Sequence, residues 1–166
     1  MTYSEPVGIR LTASSSDVTN GIVTDLKEIS TEQGNPYGHF VTAAKDQLAG
    51  KSPSAIVIEG TMLHLAASST GVATLGEVFT GTVAVDFLIK DSNNTYGVGI
   101  GEVDAKTGDT MELSSHFDSA AMTEFDYYKL LGGNFKVVVR GTAAAGFANK
   151  SAKVDLDTTL TFSAFE

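Results

Sequence analysis

The chain has 166 residues, 42% hydrophobic and 19% charged, enough for one domain with its own core and too apolar for a disordered segment. Its 20 acidic and 11 basic residues leave a formal charge of −9 with no basic run, which excludes a phosphate-tracking nucleic-acid surface of the usual kind. Cysteine is absent, so disulfide scaffolds, thiolate zinc sites and cysteine nucleophiles are excluded together.

Residues Met1 to Pro6 contain neither the basic nor the apolar region of an export signal, and no later stretch reaches membrane-spanning length, so no membrane insertion is expected. Glu5 to Thr12 sets Val7, Ile9 and Leu11 on one face and reads as a first strand, broken at Ser14-Ser15-Ser16-Asp17. Gly21 to Glu28 is a short second strand and Thr31 to Gly34 a loop. A helix follows, because Tyr37, Phe40, Val41, Ala44 and Leu48 recur at three- and four-residue spacing, the signature of one buried face. Asn35 suits its N-cap, Pro36 its first position and Gly50 its left-handed C′ residue, with Gly38 the weak point.

Ser54 to Ala67 is a long apolar strand with Gly60 placed for a bulge. The clearest strand runs from Glu77 to Lys90, where Phe79, Gly81, Val83, Val85, Phe87 and Ile89 form one register and Thr80, Thr82, Ala84, Asp86, Leu88 and Lys90 the other. A one-residue slip there exposes Phe87 and buries Asp86. Asp91-Ser92-Asn93-Asn94 then turns the chain into a hairpin with Thr95 to Val103. Thr110 to Phe117 is another strand. Asp118 caps a second helix through Leu131, with Ala121, Phe125 and Tyr128 on one side and Gly132-Gly133 as its end. Phe135 to Ala143 and Val154 to Phe165 close the chain and are expected to pair across Ala144 to Ser151.

The sum is an all-β fold: an antiparallel β-sandwich, jelly-roll-like, or a barrel of about eight strands with two short inserted helices, as a single domain over residues 1–166.

Chemistry-bearing patterns are few. Gly97, Gly99 and Gly101 fall at a spacing of two, with Glu102 where a dinucleotide fingerprint needs its third glycine. On a strand that spacing presents one bare face to another backbone, an aromatic ring or a neighbouring subunit, so the three are candidate subunit-packing positions. Asp91 to Glu102 imitates parts of a calcium loop, but Tyr96 stands where the sixth-position glycine belongs. Ser114-Ser115-His116-Phe117-Asp118 holds the ingredients of a hydrolase triad, yet strand neighbours point to opposite faces. His39, His64 and His116 are too scattered for a metal site. No catalytic residue, cofactor site or metal site is therefore assigned, and no enzyme is expected.

An acidic, cysteine-free β-protein rich in small residues fits a structural subunit that self-assembles or decorates a larger particle. Phage capsid, decoration and tail proteins, assembled in the host cytoplasm and retained in the virion, have this profile. Its partners are then copies of itself or other structural subunits. The alternative is a ligand- or carbohydrate-binding barrel presenting Tyr3, Tyr37, Tyr96, Tyr127 and Tyr128 for stacking. An enzyme is left only Asp86, Glu102, Glu112 and the histidines.

Overall fold

The alternation along each strand resolves into one antiparallel sheet curled into a nearly closed barrel. The computed structural model describes residues 1–32 and 34–166. Among these, eight strands and two α-helices occur in the order β1 (Thr2–Ser14), β2 (Ile22–Glu28), α1 (Pro36–Gln47), β3 (Ala55–Leu65), β4 (Phe79–Ile89), β5 (Thr95–Val103), β6 (Thr110–Ser115), α2 (Glu124–Leu131), β7 (Phe135–Ala143) and β8 (Lys153–Phe165). Around the sheet they run β1-β8-β3-β6-β5-β4-β7-β2. Of the loop expected over Thr31 to Gly34, residue 33 lies outside the described residues.

The strongly patterned strand is the inner wall it promised to be. Phe79, Val83, Val85, Phe87 and Ile89 are buried, and β4 continues through the expected turn into an antiparallel hairpin with β5. Bulges then redirect the alternation, since one extra residue exchanges the two faces of a strand. In β3 the register shifts between Ile58 and Gly60, so Ile56 and Ile58 point inward before it and Thr61, Leu63 and Leu65 after it.

The expected pairing of the last two strands is not found. β7 lies between β4 and β2, while β8 lies between β1 and β3. Strand length overrides proximity in sequence: the 13 residues of β8 are matched from end to end by the 13 of β1. The intervening segment instead crosses one barrel end, where Phe147 is buried with Leu75, Val78 and Phe79.

α1 closes the other end. Its N-cap is the expected one, with Asn35 Oδ1 accepting from the Tyr37 N–H at 3.0 Å. Tyr37, Phe40, Ala44 and Leu48 are buried, and Tyr37 and Phe40 stack into a cluster with Phe135, Phe162 and, through Phe162, Phe87. The helix ends one residue earlier than expected: Ala49 takes the left-handed conformation first (φ 56°) and Gly50 follows (φ 81°). Gly38 is no weakness, because a Cβ there would stand 2.6 Å from the Thr31 carbonyl oxygen. The glycine lets α1 descend onto the chain that leads into it. With α1 at one end and the Phe147 segment at the other, the barrel interior is a side-chain core.

Phe40 is fully buried and touches Tyr3, Tyr37 and Phe162. Phe40→Ala should lower stability by about 3–5 kcal/mol, read as a shifted denaturant midpoint with the slope retained.

Candidate functional surface

The residues singled out in the sequence do not converge. A bulge separates the three glycines, because Val85 pairs with Gly99 but Asp86 pairs with Gly97, leaving Val98 as the extra residue. Gly97 therefore faces outward and Gly99 and Gly101 inward, where one shared face was expected. The chain's own side chains occupy the space beside each. A Cβ at Gly97 would meet His116 Nε2 at 2.5 Å, at Gly99 Thr61 Cγ2 at 3.1 Å, and at Gly101 Leu113 Cδ2 at 2.6 Å.

The triad ingredients are equally dispersed. Ser115 Oγ is hydrogen-bonded to Thr61 Oγ1 at 2.8 Å, His116 leans toward the Ser114 carbonyl, and Asp118 accepts from the Ala120 N–H at 2.8 Å. His39 meets Glu5 at 2.9 Å and His64 meets Thr110 at 2.8 Å. Glu102 accepts from the Thr82 hydroxyl. Among the described residues no group of three His, Asp or Glu side chains is placed to hold a metal ion, and no helix is long and apolar enough to cross a membrane.

Asp86 departs from expectation in another way. It lies on the outer register of β4 yet is 6% exposed, because Arg140 from adjacent β7 reaches over it and donates Nε to Oδ2 at 2.8 Å. A carboxylate beneath a guanidinium occupies a position that the alternation reserved for solvent.

The largest correction concerns α2. Asp118 caps only a short 3-10 turn, Ser119–Ala121, and the chain extends at Met122 before Thr123 caps the helix proper. The buried residues of α2 are Asp126 and Leu130, with Tyr127 and Leu131 half-buried. The side that carries Phe125 and Tyr128 is turned to solvent, where they are 50% and 73% exposed.

Asp126 explains the rotation. Its Oδ2 accepts from Asn94 Nδ2 at 2.8 Å and from the Tyr96 hydroxyl, both from the β4–β5 hairpin. Burial pushes the carboxyl up, but hydrogen bonds from Tyr96, Ser92, Asn94 and Thr123 outweigh it and hold the group below the ordinary aspartate range. Burial and the hydrogen bond to Asp126 push the Tyr96 phenol up. Two further ties fix the helix: the Tyr127 hydroxyl donates to the Pro53 carbonyl at 2.6 Å, and Lys129 Nζ meets Asp91 at 2.8 Å. Burial pushes the Tyr127 phenol up to about 12. Sequence signals for this arrangement exist in the Thr123-x-x-Asp126 spacing of a capping box and in Tyr127, Leu130 and Leu131 as a rival apolar face.

Among the described residues, depressions open to solvent. One, of about 500 Å³, borders Glu28, Lys90, Asn93, Asn134 and Lys136 over a floor that includes Phe135. Another, of about 290 Å³, lies on the outer sheet face beside Met62, Glu112, Thr159 and Thr161. No protein-family model matches the chain, and no curated protein matches it at a significant level.

Tyr96→Phe removes a donor from the buried carboxylate and should cost about 1–3 kcal/mol at neutral pH. The native Asp126 binds its proton less tightly than the unfolded chain does, so its contribution is present above the ordinary value of 3.8 and is lost as pH falls through the lower native value. Urea titrations at successively lower pH should therefore show the difference between wild type and Tyr96→Phe shrinking across that window.

Proposed function

We propose that the chain is a non-enzymatic structural subunit that self-assembles or decorates a larger particle, of the kind found in virions as capsid, decoration or tail proteins. The observation that carries the reading is the outward aromatic pair on α2. Phe125 and Tyr128 project from a helix held by Asp126, Tyr127 and Lys129, and fixed, exposed aromatics suit burial against a partner. The filled barrel favours outer-surface contacts over cargo in a lumen. Edge-to-edge strand addition is disfavoured as the mode of contact. β1 is paired with β8 along its length and carries Pro6, which has no amide donor, and β2 turns an ionisable residue, Asp25, toward its own seam.

Composition supports the virion part of the reading: an acidic, cysteine-free barrel rich in small residues suits a subunit assembled in the host cytoplasm from copies of itself or beside other structural proteins. A second reading, a ligand-binding module, draws on the 500 Å³ groove, whose volume falls within the usual range for small-molecule sites.

Light scattering over a concentration series decides between them. Native mass should rise above the monomer with concentration, and Phe125→Ser with Tyr128→Ser should return it toward the monomer with the circular dichroism spectrum retained. A strict monomer at every concentration contradicts self-assembly and moves the groove to first place.

A further inference from the structure

Three segments meet at the groove of about 500 Å³: the end of β2 with Glu28 and Ile29, the end of β4 and its turn with Leu88, Lys90 and Asn93, and the approach to β7 with Asn134, Phe135 and Lys136. Backbone hydrogen bonds hold the three together. The Lys90 N–H donates to the Asn134 carbonyl at 3.1 Å and the Ile29 N–H to the Phe135 carbonyl at 3.0 Å. The groove is thus built by the fold before anything enters it, as small-molecule sites usually are.

The charge of the lining runs against that of the chain. Among the described residues two lysines are half-buried, Lys129 and Lys136. Lys129 is paired with Asp91 at 2.8 Å. Lys136 has no carboxylate within ion-pair distance, and neither has Lys90. Glu28 stands opposite Lys136 in the β2–β7 ladder, yet the two make no ion pair. With Lys90, Lys129 and Lys136 set against Glu28 and Asp91, the groove is net positive on a chain of formal charge −9. A concave site of one sign concentrates ions of the other. Asn93 and Asn134 add side-chain amides, and Ile29, Leu88 and Phe135 add apolar surface.

We propose that this groove binds a small organic anion. Its carboxylate or phosphate is held by the ammonium groups of Lys90 and Lys136 and the amides of Asn93 and Asn134, and its apolar body lies over Leu88 and Phe135. Lysine acts as a point charge without the planar fork of arginine, so charge rather than the geometry of the anionic group is what the site selects. This rests on the ligand-binding reading of the groove and is independent of self-assembly through α2.

Amide chemical-shift titrations of the full chain with phenylacetate, phenyl phosphate, inorganic phosphate and benzyl alcohol test the assignment. One or both aromatic anions should shift the Lys90, Asn93, Asn134 and Lys136 amides saturably, the tighter of the two identifying the preferred anionic group. Inorganic phosphate, which lacks the body, and benzyl alcohol, which lacks the charge, should each bind about tenfold or more weakly by comparison. Lys90→Gln and Lys136→Gln should each weaken the aromatic anion by about tenfold, whereas Lys153→Gln, at an exposed position of β8, should leave it unchanged. Benzyl alcohol binding as tightly as the anions would keep a ligand groove and overturn the anion. Equal affinity for inorganic phosphate would overturn the apolar body, and anion binding untouched by both groove variants would overturn the role of the lysines. Absence of saturable shifts with every probe would overturn the groove as a site altogether.

Discussion

The barrel depends on how α1 fills its end. Among the described residues seven strand-to-strand contacts carry backbone ladders, and none of these joins β1 to β2. α1 packs on β1 and drives Tyr37 and Phe40 into the aromatic cluster against Phe135 and Phe162. The Tyr37 hydroxyl is satisfied by the Leu130 carbonyl at 2.7 Å, so the same side chain that plugs the barrel end also joins α1 to α2. Without that filling, the most aromatic part of the core would border water at an open barrel end, and the hydrophobic term that holds the fold would be lost there first.

Polar burial is concentrated where strands must be held in a particular relation to other elements. Asp126 ties α2 to the β4–β5 hairpin, and Asp86 ties β4 to β7. Asp155 joins β8 to Thr12 at 2.8 Å and to Ser68 at 2.7 Å, across three segments distant in sequence. Each carboxylate has donors supplied by a different element, which is why each can be buried at all. The network around Asp126 has a consequence at the surface, because by seating one polar face of α2 it turns the aromatic face outward. The proposed contact surface is thus a product of the internal hydrogen bonding.

The scaffold was legible where one physical rule governed. The apolar alternation along β4, the turn at Asp91 to Asn94 and the capped helix at Asn35 are local signals, and the structure contains all three. Pairing order was less legible, because the β1–β8 ladder joins the two ends of the chain and leaves no local trace. The glycine face failed at a bulge: Val98 inserts one residue and divides Gly97 from Gly99 and Gly101. Asp126 was hidden for a different reason. Its partners Asn94 and Tyr96 lie about thirty residues away, and an aspartate reads as solvent-facing until its donors are known. Phe125 and Tyr128 read as one apolar helix side on the same rule that places the strands correctly, since hydrophobicity alone does not separate a buried face from an exposed one.

Because the chain has no cysteine, a single introduced thiol is unique, and its proximity to its own copy can be measured directly. Glu124→Cys, beside the aromatic pair, and Thr159→Cys, on the outer face of β8, would each carry a fluorescent label whose self-transfer is followed over a concentration series. Concentration-dependent transfer at position 124 and none at 159 is the result expected if α2 forms the contact between subunits. Transfer at 159 alone, or at neither position, would contradict it.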